Sequence, residues 1–431
     1  MHNVLDPRDL VPDEAEELQV SGYPVGDLLE EAKRAAADGD LEHLTAVEVR
    51  LAELRPLPDW PYDEPRDEHV LYALCDAAPR TEFDAAVLPE RIRGAWLGRV
   101  VGNTLGKPIE GLARTQVEIY LRAAGHWPLR GYLPLLSPLP DGVAHLHPSA
   151  PIATEGRFQD VPRDDDIDWT ILGMLALEQH GREFTTDQLA ALWLDRMPFT
   201  QTYTAERAAY RNLLAGLAPP ATATHRNPYR EWIGALIRVD TYGYIHPGNP
   251  GPAAALAITD ARLSHLGNGM YGAMWAAGLV AAAFAASSAR EALDRSLTVV
   301  PSGSRLAEAL HRMLDLHNQG ETHVVALDTI DRELGHYSWV HTINNAAQIT
   351  AGLLWGENFL SAVGIAIEGG RDTDSNAATV GSVFGALHGS AAIPESLLIS
   401  EPVRVRSAVR DFDRITIDEL TARTLRLVEK E

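Results

Sequence analysis

The sequence predicts an all-α fold: a compact helical bundle preceded by a smaller helical extension. Apolar residues recur at helical spacing along most of the 431 residues, and an apolar content of 45% is enough for a substantial core. Strand-type alternation is nearly absent, with one weak instance at Arg404–Ile417 (RVRSAVRDFDRITI). No repeat of fixed period is visible.

Taken in order, Asp27 to Leu54 is helical, and the Asp38-Gly39-Asp40 step divides it into two helices. Pro56 to Pro65 (PLPDWPYDEP) reads as an extended connector lying over the surface of the main domain. Residues 1–87 therefore form an extension and 88–431 the main domain. Arg91 to Leu105 is a helix with Gly94, Gly98 and Gly102 on one face. Each glycine costs roughly 1 kcal/mol relative to alanine, so this face implies close approach by another backbone or a functional need. Gly125 to Gln159, rich in proline and histidine, reads as a long loop. Further helices are expected at Ile167–Glu178, Thr186–Asp195, Ala205–Gly216, Tyr229–Val239, Ala253–His265, Gly269–Ala286 and Ser288–Thr298. The pattern continues through Ser304–Gln319, Val324–Leu334, Val340–Trp355, Phe359–Glu368, Ser375–Leu387 and Ile417–Val428.

The formal net charge of -23 argues against nucleic-acid binding by phosphate neutralisation and fits a soluble cytoplasmic protein. The one cysteine, Cys75, lies in an apolar stretch and is expected to be buried and structural. Met1 to Pro12 lacks the basic and apolar regions of a signal peptide. Tyr271–Ala286 is too short and too rich in alanine and glycine for a membrane span, so a buried helix is expected.

Two acidic runs each open a helix. The first is Arg163-Asp164-Asp165-Asp166-Ile167-Asp168; the second is Glu368-Gly369-Gly370-Arg371-Asp372-Thr373-Asp374-Ser375. Each admits two readings: a helix cap favoured by the helix dipole, or a set of hard oxygen ligands for magnesium or calcium. Both runs lead into apolar or small-residue helices, so the carboxylates are expected to converge. Ser264–Gly272 (SHLGNGMYG) fits an anion site at a helix N-terminus and, equally, a plain helix start. His341, in WVHTINNAA, lines a cleft or satisfies buried backbone groups.

Three stretches together resemble the ADP-ribosylglycohydrolase family, which includes dinitrogenase-reductase-activating glycohydrolase. Gly94–Glu110, continuing to Gly111, resembles its opening helix, Asp164–Thr170 its first aspartate motif, and Gly369–Gly381 (GGRDTDSNAATVG) its second. The resemblance runs from Leu88 to Gly389. Asp164 stands where the family has threonine or serine, Asn103 where it has aspartate, and Arg371 where an apolar residue is common.

The resemblance implies an orthogonal all-α bundle and an N-glycosyl hydrolase acting at C1 of a ribose. It implies two magnesium ions, or manganese, held by Asp164, Asp165, Asp166, Asp372, Asp374 and Ser375. Asp374 or Asp165 would hold or activate water, with Glu110 in a gating or supporting role. Asn268, Gly269, Tyr271, Gly370, Arg371 and His341 are candidate substrate contacts, with Arg371 placing a cation near ribose or phosphate. The substrate would be an ADP-ribosylated protein side chain or a small ribosylated molecule. A non-catalytic interaction module is the reading from another class, and the oligomeric state is left open.

Overall fold

The computed structural model describes residues 5–429, so part of the Met1–Pro12 segment lies outside the described residues. The described chain is helical almost throughout. Its only named strands are Arg404–Val405 and Ile415–Thr416, an antiparallel pair within the stretch that showed weak alternation.

Three helices open the chain: Pro7–Val20, Leu28–Asp38 and Leu41–Glu53. They bury Ala15, Leu44 and Val47 in a small core of their own. Gly39 ends the second helix at φ +70°, and the Asp40 carboxylate caps the third by accepting the His43 N–H at 2.9 Å. The first helix was not expected, because Pro12 lies inside it and breaks the propensity signal. Glu68–Ala77 follows the connector and places Leu71 and Cys75 in the main core, so the end of the extension belongs to the main packing unit.

Every residue of Gly267–Ala283 is buried, and Pro250–Ala261, Thr342–Trp355 and Thr373–His388 pack around it. Among the described residues, no helix is long and apolar enough to cross a membrane. The expected helix at Tyr229–Val239 is corrected to a 3-10 turn, Ile233–Arg238. There the chain is held by tertiary contacts instead of an α-helical ladder: Trp232 bridges His341, and the Ile233 N–H donates to the Val340 carbonyl at 2.9 Å.

The closest helix pairing joins Leu88–Gly106 to Thr373–His388. A Cβ added at Gly98 would fall on the Gly381 carbonyl, at Gly102 on the Ala377 carbonyl, and at Gly106 on the Thr373 carbonyl. The glycine face therefore admits a second backbone, and that backbone belongs to the helix opened by the second acidic run. The order of contacts, from Gly94 against Gly385 to Gly106 against Thr373, makes the pair antiparallel.

Candidate metal centre and active site

Antiparallel packing brings the C-terminal end of Leu88–Gly106 to the N-terminus of Thr373–His388. A 3-10 turn, Lys107–Ile109, then delivers Glu110. On the other side, Gly370 and Arg371 adopt φ of +69° and +65° and turn the chain sharply into Asp372. The Arg371 N–H donates to the Leu112 carbonyl and the Gly111 N–H to the Arg371 carbonyl, each at 2.9 Å, which ties the two turns together.

The first acidic run joins through Asn103. Its Nδ2 donates to Asp164 Oδ1 at 2.9 Å and to Asp166 Oδ2 at 2.7 Å. Ser375 Oγ donates to Asp166 Oδ1 at 3.0 Å. Asp164 also caps its helix, accepting the Asp166 N–H at 3.0 Å, so capping and convergence coexist.

Two carboxylate groups result: Glu110, Asp372 and Asp374, and Asp164, Asp166 and Asp374, each with ligand atoms within 4.8 Å of one another. Asp374 is common to both. Asp165 is half-buried and lies outside both groups. Among these acids sits the Lys107 ammonium, paired with Asp164, 3.3 Å from Asp374 Oδ2 and 3.9 Å from Glu110 Oε2.

Burial, then the charge of Asp164, pushes Asp165 up to about 8. Asp166 and Asp372 rise for the same first reason, with Asp164 and Asp374 respectively adding to it. Glu110 rises through burial and the charge of Asp374. Asp164 is pressed upward by burial, yet Lys107 brings it below the ordinary carboxylate range. Burial works against charge on Lys107, but Asp164 and Asp374 hold it firmly protonated. The Lys107 ammonium and the guanidinium groups of Arg163 and Arg99 thus act on six carboxyl groups, Glu110, Asp164, Asp165, Asp166, Asp372 and Asp374. Such a set of hard oxygens, short of positive charge, suits a divalent cation of the magnesium type.

Asp168, in the same run, faces away. It binds Ser407 Oγ at 2.6 Å and Arg163 Nε at 2.7 Å and anchors the C-terminal segment. The Arg371 guanidinium is held by Asp331 and reaches Gln348 Oε1 at 3.3 Å. Asn268 and His341 gather in a second cluster around Glu231. Asn268 Nδ2 donates to Glu64 at 2.8 Å and to Glu231 at 3.2 Å, while His341 Nε2 is 3.9 Å from Glu231. Tyr271 Oη donates to the Pro65 carbonyl at 2.7 Å, and Gly269 packs on Arg230 and Glu231. The connector stays at the surface, with none of Pro56–Pro65 fully buried, and reaches inward through Glu64, which also accepts from the Arg305 N–H at 3.1 Å and from its Nε at 2.8 Å.

Three site residues escaped the sequence reading. Lys107 was quoted within the opening-helix segment without a role; its place three residues before Glu110 was the available signal. His147 comes from the long loop, with Nε2 3.4 Å from Glu110 Oε2; burial, then Lys107, lowers its pKa. Trp339 is exposed, and its indole reaches the space beside Gly111.

The family model described as ADP-ribosylglycohydrolase matches residues 84–430. Among solved structures, the chain is similar to one described as an ADP-ribosylglycohydrolase-related protein complex, with 19% identity and a TM-score of 0.47 over 80% of this chain and 99% of that one. No curated protein matches.

Proposed function

The chain belongs to the ADP-ribosylglycohydrolase family, and from that premise we propose that it is a magnesium-dependent hydrolase removing ADP-ribose from a modified protein side chain or a related conjugate. The observation that carries the reading is the sharing of Asp374 by two carboxylate triads. A carboxylate common to two ligand sets is what a pair of divalent ions a few ångströms apart requires. Two magnesium ions, with manganese as substitute, would be held by Glu110, Asp372 and Asp374 on one side and Asp164, Asp166 and Asp374 on the other, Ser375 completing the set. Bound there, they supply Lewis acidity to the ribose hydroxyls and lower the pKa of water.

The chain's own residues have separable tasks in this reading. Asn103 and Ser375 orient Asp164 and Asp166 through the amide and hydroxyl hydrogen bonds described above. Asp165, outside both triads and pushed up to about 8, can hold a proton at neutral pH beside the ligand set. Asp374 orients the attacking water, and the surrounding carboxylates favour positive charge developing at C1. Glu110 closes the set, with His147 and Lys107 beside it.

Gly370 and Arg371 border the turn into Asp372 and are assigned to the substrate side. Asn268, Gly269, Tyr271 and His341 are read as the seat of the extension, since Glu64 and Pro65 take up the Asn268 and Tyr271 donors. The boundary between residues 87 and 88 is kept as a functional division, although Leu71 and Cys75 pack with the main core. The acidic composition accords with action in the cytoplasm.

The test is incubation with ADP-ribosylated arginine, ADP-ribosylated serine, ADP-ribose 1''-phosphate and simple nucleosides, with magnesium, manganese or chelator. Metal-dependent release of ADP-ribose from a side-chain conjugate is expected. Turnover of nucleoside-like compounds alone would replace the substrate. An absence of turnover, together with no metal-induced rise in melting temperature, would leave a non-catalytic member of the fold.

A further inference from the structure

Away from the acidic centre, the first helix, the connector and the Gly335–His341 loop enclose a half-open cavity of about 550 Å³. Asp13, Glu16 and Glu17 line it together with the rings of Trp60, Trp232 and Tyr337; among the described residues no lysine or arginine lines it, and Lys33 pairs with Glu16 at 2.8 Å. Glu17 is only 3% exposed, and its Oε1 has no hydrogen-bond partner among the described residues. A buried carboxylate oxygen without a donor is costly, on the order of 1–3 kcal/mol or more when charged.

Nearby cations do not make up the deficit. Arg230 is committed to Glu14 at 2.7 Å, and Arg305 to Glu64 at 2.8 Å and Glu231 at 2.7 Å. Glu14, Glu17, Glu64 and Glu231 thus face two guanidinium groups. His341 adds no charge, since burial, then Arg305, lowers its pKa.

Glu17, Glu231 and His341 bring ligand atoms within 4.8 Å of one another, which suggests a metal. The histidine argues against one. Its Nδ1 accepts the Ile343 N–H at 3.2 Å, so the neutral ring carries its proton on Nε2, the atom facing the carboxylates. A protonated nitrogen cannot ligate. The aromatic walls favour another kind of cation, one with an apolar body and N–H donors. Trp60 already takes a guanidinium on its ring, with Arg305 at 5.7 Å.

We propose that this cavity binds a small organic cation of the alkylammonium or alkylguanidinium class, its N–H groups donating to Glu17 and its body packed against Trp60, Trp232 and Tyr337. The site joins the extension to the family domain and is independent of the hydrolase reading.

Isothermal titration of the full chain with n-butylguanidinium, n-butylammonium, agmatine, n-butanol and zinc or magnesium chloride tests this. At pH 9, where Glu17 is ionised, the organic cations should bind saturably and n-butanol should not. Glu17→Gln, which keeps the shape, should weaken binding at least tenfold, and Trp60→Leu should weaken it in a chain whose circular dichroism is unchanged. Asp374→Ala should bind as the wild type does, which separates this site from the acidic centre. The proposal is overturned if no organic cation binds saturably up to 10 mM, roughly the weakest affinity a buried ion pair would give. It is also overturned if binding survives both Glu17→Gln and Trp60→Leu, or if a metal chloride alone binds in a Glu17-dependent way.

Discussion

Lys107 Nζ lies 3.3 Å from Asp374 Oδ2, against the carboxylate that both acidic triads share. The ammonium occupies, in charge and position, part of the role a divalent ion would have. Ammonium and metal therefore compete for the same oxygens. A unit charge at 4 Å is worth about 4 kcal/mol at an effective dielectric of 20, so the competition is substantial. Lys107→Met should tighten magnesium binding by roughly tenfold or more, about 1.4 kcal/mol, read by calorimetric titration. Weaker binding in the variant would show that the lysine organises the carboxylates and does not compete.

Asp374 and Asp168 have opposite fates despite both lying in acidic runs. Asp374→Ala should abolish the rise in melting temperature on adding magnesium. Asp168→Ala removes the carboxylate that pairs with Arg163 and Ser407, leaving Arg163 only the Gln201 carbonyl and Tyr203 hydroxyl as hydrogen-bond partners, and should lower metal-free stability by about 3 kcal/mol. Its magnesium-induced shift should persist. Loss of that shift in Asp168→Ala would place the residue with the ligands after all.

Gly98→Ala tests the helix pairing. Alanine gains about 1 kcal/mol of helix propensity. The added Cβ meets the Gly381 carbonyl, a backbone atom that cannot rotate away, and overpacking of this kind costs about 1–3 kcal/mol or more. A net loss of stability is expected in urea denaturation, accompanied by weaker magnesium binding because the helix ends separate. Stabilisation by the substitution would contradict the contact.

Glu17 sets a pH dependence. Burial, followed by the charge of Glu231, raises it from 4.5 to about 8, while Arg230 and Arg305 pull the other way. A raised acid binds its proton more tightly folded than unfolded. Its contribution to stability is therefore full below about pH 4.5 and lost as pH rises through 8, by at most about 1.4 kcal/mol per pH unit. Denaturation measured from pH 5 to 8.5 should show a downward slope that Glu17→Gln flattens. An unchanged slope in the variant would assign the effect to other groups.

The fold and the acidic centre were legible in the sequence for a common reason: their signals are local. Helical period, and aspartates opening helices (after a glycine turn in the second run), survive in a short window of chain. Asp168 was harder to place, because two residues beyond Asp166 on an α-helix is a rotation of about 200°, to the opposite side. Lys107 had a local signal in its place three residues before Glu110, whereas His147 became a site residue only through tertiary approach, across a long loop. The Ile233–Arg238 turn has apolar residues at helical spacing, and its backbone is claimed instead by Val340. For SHLGNGMYG the two local readings were equal, and the Glu64 carboxylate at Asn268 is a partner that no local window contains.

The pairing of Gly94, Gly98, Gly102 and Gly106 with the backbone of Thr373–His388 also says where the precision of the acidic centre originates. Asp372 and Asp374 stand at one end of a ruler whose divisions are main-chain atoms, and Asn103, Lys107 and Glu110 stand on its partner scale. Side-chain torsions add the last adjustment, but the gauge between the two scales is a single hydrogen atom thick. Tolerances in the chemistry are thereby inherited from the polypeptide itself, all the way back to Gly94.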